Sequence, residues 1–178
     1  MTVPATSPAT SPATAPACAG ERADLLETLA THRWFLRHTV QGLTTEQATR
    51  RTTVSELTLA GIVKHVAMTE ASWADFVVRG TAAMEQSPEE WAREWVLGPG
   101  ETLESVLALY ADVATRTDEL VRTVDLDASH PLPEAPWFEP GAVRSARRVF
   151  LHVVAETAQH AGHADILRES LDGQKTMG

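Results

Sequence analysis

The sequence predicts an all-α fold, a four-helix bundle, and three observations carry that expectation. Four segments of helical length place apolar residues near i, i+3, i+4 and i+7. Stretches rich in Pro, Gly and Thr separate them, and nothing in the chain resembles an array of strands. At 178 residues with 43% hydrophobic and 22% charged side chains, the composition fits one ordinary globular domain with a sizeable core.

Residues 1–20, MTVPATSPATSPATAPACAG, repeat a Thr-Ser-Pro-Ala theme. They have no basic start and no apolar h-region, so they read as a disordered tail and not as a secretory signal. The bundle is expected over residues 21–175. Cys18, the single cysteine, falls in the tail, which leaves no intrachain disulfide and no cysteine-based metal site. A cytoplasmic location is the expectation that follows.

The first helix is expected from Glu21 to Gln41, with Leu25, Leu26, Leu29, Leu36 and Val40 near helical spacing and Gly42 at its C-cap. Leu43 to Leu57 reads as a connection holding one helical turn at TTEQ. A second helix starts after Thr58 as N-cap and ends at Gly80; Ile62, Val66, Thr69, Trp73 and Phe76 share a side, and His65 sits near its middle. Thr81 to Gly100 forms a long excursion with a short helix at SPEEWAREW, Pro88 lying in its first turn. Excursions of this length often line a pocket, and Trp91 and Trp95 are its candidates for that role. The third helix runs from Thr102 to Thr123 as scaffold. A proline-rich loop, DASHPLPEAPWFEPG, is pinned by Trp137 and Phe138. The last helix spans Val143 to Leu171 and stops at Gly173.

A formal net charge of −9, with few and scattered basic residues, lacks the electrostatic footprint of a nucleic-acid binder. It also disfavours docking on an anionic membrane surface. No apolar run approaches the roughly 20 residues of a spanning helix.

Chemistry concentrates in the last helix. His152, Glu156, His160 and His163 recur at spacings of four, four and three and project along one face. Val149, Val153, Ala164 and Leu167 mark the apolar neighbours of that face, so some of these polar groups are buried. A Glu in an apolar interior is costly unless it is protonated, hydrogen-bonded or bound to a cation. Glu156 and His160, one turn apart, can converge on one metal ion. The third ligand must come from another helix, and His65 is the histidine at the middle of the second. His152, one turn before Glu156, is an alternative ligand better placed to support the first three. His163 and Arg168 are candidates to orient a ligand or contact substrate, with Asp165 nearby. Taken singly, His65 reads as a core histidine and Glu156 with His160 as a surface pair. His32, His38 and His130 read as structural.

LAGIVKHVA in the second helix and HVVAETAQHAGHADILRESLDG in the fourth resemble the DinB superfamily, and most strongly its actinobacterial branch. The resemblance covers about Glu21 to Gly173, specific in the last helix and loose in the first and third. It implies an up-down-down-up bundle and a metal triad. Many members carry three histidines; here Glu156 replaces the first of the last-helix pair, as in the His, Glu, His set of mycothiol-dependent maleylpyruvate isomerase, another member.

The family includes low-molecular-weight thiol transferases, and an Arg-to-Lys ratio of 13 to 2 favours mycothiol as the thiol. The implied activity is a metal-dependent thiol S-transferase or related thiol-dependent enzyme acting on a small electrophile. Its ion would be divalent, zinc before nickel, manganese or iron, and its state a monomer or homodimer. The alternatives are a metal-dependent hydrolase or isomerase without a thiol, and a non-catalytic ligand-binding bundle.

Overall fold

A computed structural model describes residues 20–85 and 87–176; residues 1–19 of the tail, Cys18 included, lie outside them. The described chain is mostly helical. Helix α1 spans Glu21–His38, α2 Thr45–Ala48, α3 Leu59–Arg79, α4 Pro88–Arg93, α5 Leu103–Thr123 and α6 Ala146–Asp172, with a 3₁₀ turn at Gly80–Met84 and two short strands, β1 Ser129–Pro131 and β2 Val143–Ser145.

Local chemistry sets most boundaries where the sequence puts them. The Thr58 hydroxyl accepts from the Gly61 N–H at the start of α3, Ser87 and Glu90 form a capping box on α4 with Pro88 in its first turn, and Thr102 and Ser105 do the same for α5. TTEQ forms the expected single turn, with Thr44 and Gln47 reciprocally capped. Gly173, at φ 82°, ends α6 in the left-handed conformation that favours glycine.

Two helix boundaries differ from expectation. The first helix stops at His38 and gives way to turns through Gly42, because Arg168 donates to the Thr39 and Gln41 carbonyls and draws the chain end onto α6. The last helix begins at Ala146, not Val143. Val143–Ser145 instead pairs antiparallel with Ser129–Pro131, His130 opposite Arg144, and the Ser145 hydroxyl then caps α6 by accepting from the Arg148 N–H. Strands of three residues are too short to show an alternating pattern. Of the two aromatics expected to pin the proline-rich loop, Phe138 packs on the core, whereas Trp137 is 75% exposed.

Four long helices enclose the core. α3 packs on α5 and α6, α6 on α1, and α1 touches α5. The apolar interior divides into two clusters. One gathers Leu36, Ile62, Val66, Val106, Tyr110, Ala164 and Leu167; the other Leu29, Trp73, Phe76, Val121, Phe150 and Val153. Between them runs a polar layer. Buried Arg33 of α1 donates to both carboxylate oxygens of buried Glu70 on α3, at 3.2 and 2.5 Å, and to Asp118 of α5 at 2.7 Å. Burial would lower the Arg33 pKa, but the charges and hydrogen bonds of Glu70 and Asp118 leave it raised. Desolvation likewise pushes the Tyr110 phenol up. Pairing makes such a layer tolerable, since an isolated buried charge costs several kcal/mol. None of the described helices is long and apolar enough to cross a membrane.

Candidate metal centre

α3 and α6 meet along a seam whose register two ring contacts define. His65 lies against His160 with centroids 5.0 Å apart, and Trp73, eight residues on, lies against His152, eight residues back, at 4.8 Å. The two helices are therefore antiparallel here. This register gathers His65, Glu156 and His160, whose ligand atoms all lie within 4.8 Å of one another. His65 and His160 are buried, and Glu156 is half-buried.

The donor set fits a divalent ion. His160 Nε2 stands 3.6 Å from Glu156 Oε2, near the roughly 3.4 Å between two ligands that each bind a tetrahedral ion at about 2.0–2.2 Å. Nδ1 of His160 is buried without a hydrogen bond, an arrangement that normally carries a penalty, while the His65 ring has Glu94 3.5 Å from its Nδ1 and the Thr69 hydroxyl 3.4 Å from its Nε2. The Glu156 carboxyl is held below its ordinary pKa, first by its contact with His160 and then by the charges of His152 and His65, against the opposing effect of burial. The site thus keeps its one carboxylate ionised, as a cation ligand must be.

The flanking residues divide by place. His152 Nε2 is 3.7 Å from Glu156 Oε1, and burial holds its pKa below the usual value despite Glu156. The His163 ring packs on His160 at 5.4 Å, its Nδ1 buried and unpartnered. Arg168 belongs elsewhere: its guanidinium is occupied by Thr39, Gln41, Asp172 and Gln174, and it fastens the end of α1. Asp165 accepts from the Thr176 backbone N–H. His130 contacts the Val77 carbonyl, and His38 stacks on Trp34.

The excursion between α3 and α5 roofs the cluster. Trp95 stacks on His65 with centroids 3.6 Å apart and planes at 14°, and its ring edge meets His160 at 5.6 Å. Trp91 meets Trp95 with ring centroids 5.9 Å apart and is 53% exposed. The roof is fastened from below: Lys64 donates to the Val96 carbonyl at 2.9 Å and to Glu101 at 2.6 Å. Gly61 allows the approach, because a Cβ there would lie 2.2 Å from the Trp95 carbonyl oxygen.

Sequence reasoning missed Glu94. Its carboxylate is buried 3.5 Å from His65 Nδ1, where metal-binding histidines commonly face an orienting carboxylate. A glutamate in an acidic surface-like helix gives no sign of burial; only its place beside Trp95 offered a hint.

No curated protein matches the chain. A solved crystal structure of a conserved protein from Enterococcus faecalis is similar, with a TM-score of 0.61 and 14% identity over 88% of this chain and 100% of that one, a likeness of fold alone. The family model described as mycothiol-S-transferase matches residues 24–173, a span that contains all three candidate ligands and every helix described here except the first three residues of α1. The chain belongs to the mycothiol-S-transferase family, a DinB-like family.

Proposed function

We propose that this protein is a metal-dependent thiol S-transferase that joins mycothiol to a small electrophile, with His65, Glu156 and His160 holding the ion. The observation that carries the reading is the convergence of two buried imidazoles and one carboxylate from two helices, with ligand atoms all within 4.8 Å of one another. Three protein ligands leave a coordination position open, the pattern of catalytic and not structural sites.

A divalent ion held there would acidify a thiol and fix the thiolate, the nucleophilic form, at neutral pH. The chain's own residues do the rest. Trp95 covers His65 and restricts water on that side. Glu94 faces His65 and would hold its ring in one orientation. His152 and His163 stand on either side of the Glu156–His160 pair along α6 and would orient ligands or contact substrate. In the transfer, a carbon–sulfur bond forms as the bond to the leaving group breaks, the leaving group keeps the electron pair, and the thiol proton is released. Zinc is the ion we favour for two imidazoles and a carboxylate.

The fold reading extends to topology. Glu21 pairs with Arg147 at the starts of α1 and α6, and Arg168 meets Thr39 near their ends; Lys64 meets Glu101 and Asp75 meets Arg116 in rising order along α3 and α5. These contacts support an up-down-down-up bundle.

Elemental analysis of wild type beside His65→Ala, followed by a mycothiol conjugation assay on metal-replete protein, tests the function. About one ion per wild-type chain, little in the variant, and thiol turnover are expected. Stoichiometric metal without thiol turnover would favour a hydrolase or isomerase; no metal under replete conditions would leave a ligand-binding bundle.

A further inference from the structure

The seam between α3 and α6 continues past the candidate ligands toward the start of α6. Trp73 lies eight residues, about 12 Å, along α3 from His65 at 1.5 Å per residue. One side of its ring meets His152. Arg144 of β2 sits over the ring as well, Cζ 4.8 Å from its centroid, and lies 5.3 Å from the centroid of Phe138. Arg148 follows one turn later, exposed on α6.

Neither guanidinium has a hydrogen-bonding or ion-pairing partner among the described residues, and Nη1 of Arg144 is buried without an acceptor. Arg33, Arg116 and Arg147 find carboxylates, whereas Arg144 is held against aromatic rings with part of its guanidinium buried. The two positive charges also oppose each other. Burial, and secondarily Arg148, lower the Arg144 pKa. Stacking on aromatic faces holds a guanidinium plane in place and leaves its N–H edge for an oxyanion, which it can bind with two parallel hydrogen bonds.

We propose that Arg144, assisted by Arg148, binds a carboxylate or phosphate of a ligand at the Trp73 end of the α3/α6 seam, about 12 Å along α3 from His65. The ligand is thus elongated, with its reacting end at the cluster and an anionic end against Trp73 and Phe138. The inference rests on the thiol-transferase reading for the identity of the reacting end, and on Arg144 alone for the anionic one.

Calorimetric titration with decanoate and decanol tests the anionic end without metal or thiol. Wild type is expected to prefer the carboxylate by about 10-fold or more, the scale of one charged hydrogen-bonding contact. Arg144→Gln should erase the preference, Arg144→Lys should restore part of it, and Arg148→Gln should reduce it. Circular dichroism and metal content of each variant report that the fold persists. The same ratio in wild type, Arg144→Gln and Arg144→Lys overturns the proposal.

Two further arms locate the anion. Decanoate binding that survives saturation of the metal-loaded protein with mercaptoethanol places it on the electrophile. A carboxylate preference seen only with mercaptoundecanoate over mercaptoundecanol places it on the thiol, which then is not mycothiol, a thiol without carboxylate or phosphate. Loss of thiol binding with the decanoate preference intact would refute the transferase reading and leave the anion site standing.

Discussion

Gly61→Ala is the smallest change that should open the roof over the candidate metal centre. The added Cβ would lie 2.2 Å from the Trp95 carbonyl oxygen and 2.9 Å from the Thr58 hydroxyl, against a practical minimum of 3.0 Å. The hydroxyl belongs to a side chain and can turn aside. The carbonyl is backbone, tied to α3 through the Lys64 contact at neighbouring Val96, and must retreat by about 0.8 Å, the shortfall from that minimum.

Overpacking of this kind costs about 1–3 kcal/mol. Replacing Gly by Ala in a helix interior returns up to about 1 kcal/mol, less at Gly61 because it lies in the first turn of α3. The steric effect should win, leaving a net loss of about 1–2 kcal/mol, with the damage confined to the Trp95–His65 stack. Urea denaturation would give the stability. Acrylamide quenching, with the Trp95 contribution isolated by a parallel Trp95→Phe series, would read the roof. A variant about 1 kcal/mol more stable than wild type, with Trp95 still shielded, would show that the excursion is not pressed onto α3 and would refute the reasoning.

Three other outcomes are expected. Glu70→Ala leaves Arg33 buried without its main partner and should cost about 3–5 kcal/mol in chemical denaturation, whereas a paired Arg33→Met, Glu70→Leu replacement should lie much closer to wild type; equal losses for both would contradict the account of the polar layer. Glu156→Gln removes the one carboxylate of the candidate centre and should weaken metal affinity by an order of magnitude or more, measured by competition with a chelating dye, with helix content unchanged. Burial raises the Asp75 pKa, but hydrogen bonds and charges from Arg116 and Arg79 outweigh it, so the folded value is depressed. Its contribution is present above the unfolded carboxylate pKa and is lost as pH falls through the folded one. The stability gap between wild type and Asp75→Asn should therefore shrink on acidification below about pH 4; a gap that grows would reverse the assignment.

How much was legible beforehand depended on the range of the interaction. Thr58, Ser87 and Thr102 each accept from an N–H three residues on, a range short enough that Thr58 was readable as an N-cap and the other two helix starts lay where the sequence put them. Glu156 and His160 share a face because helical periodicity places them there, and a polar face inside an amphipathic helix is visible without coordinates. The two segments that resemble the DinB superfamily, LAGIVKHVA and HVVAETAQHAGHADILRESLDG, are likewise contiguous in the chain.

The rest depended on neighbours distant in the chain. His65 was a reasonable third ligand, but only the antiparallel register of α3 and α6 brings it within 4.8 Å of the other two. Glu94 became a neighbour of His65 because Gly61 admits the excursion's backbone. Arg168, which sequence spacing offered to substrate, is drawn instead to carbonyls of Thr39 and Gln41, 129 and 127 residues earlier. Val143–Ser145 continued a helical pattern, yet pairing with Ser129–Pro131 outweighed that local preference and lifted Arg144 out of the helix onto Trp73. Local hydrogen bonds and periodicity determined which helices form and which polar face carries chemistry; packing between segments remote in sequence decided which side chains complete the site, because burial and charge pairing are set only when those segments meet.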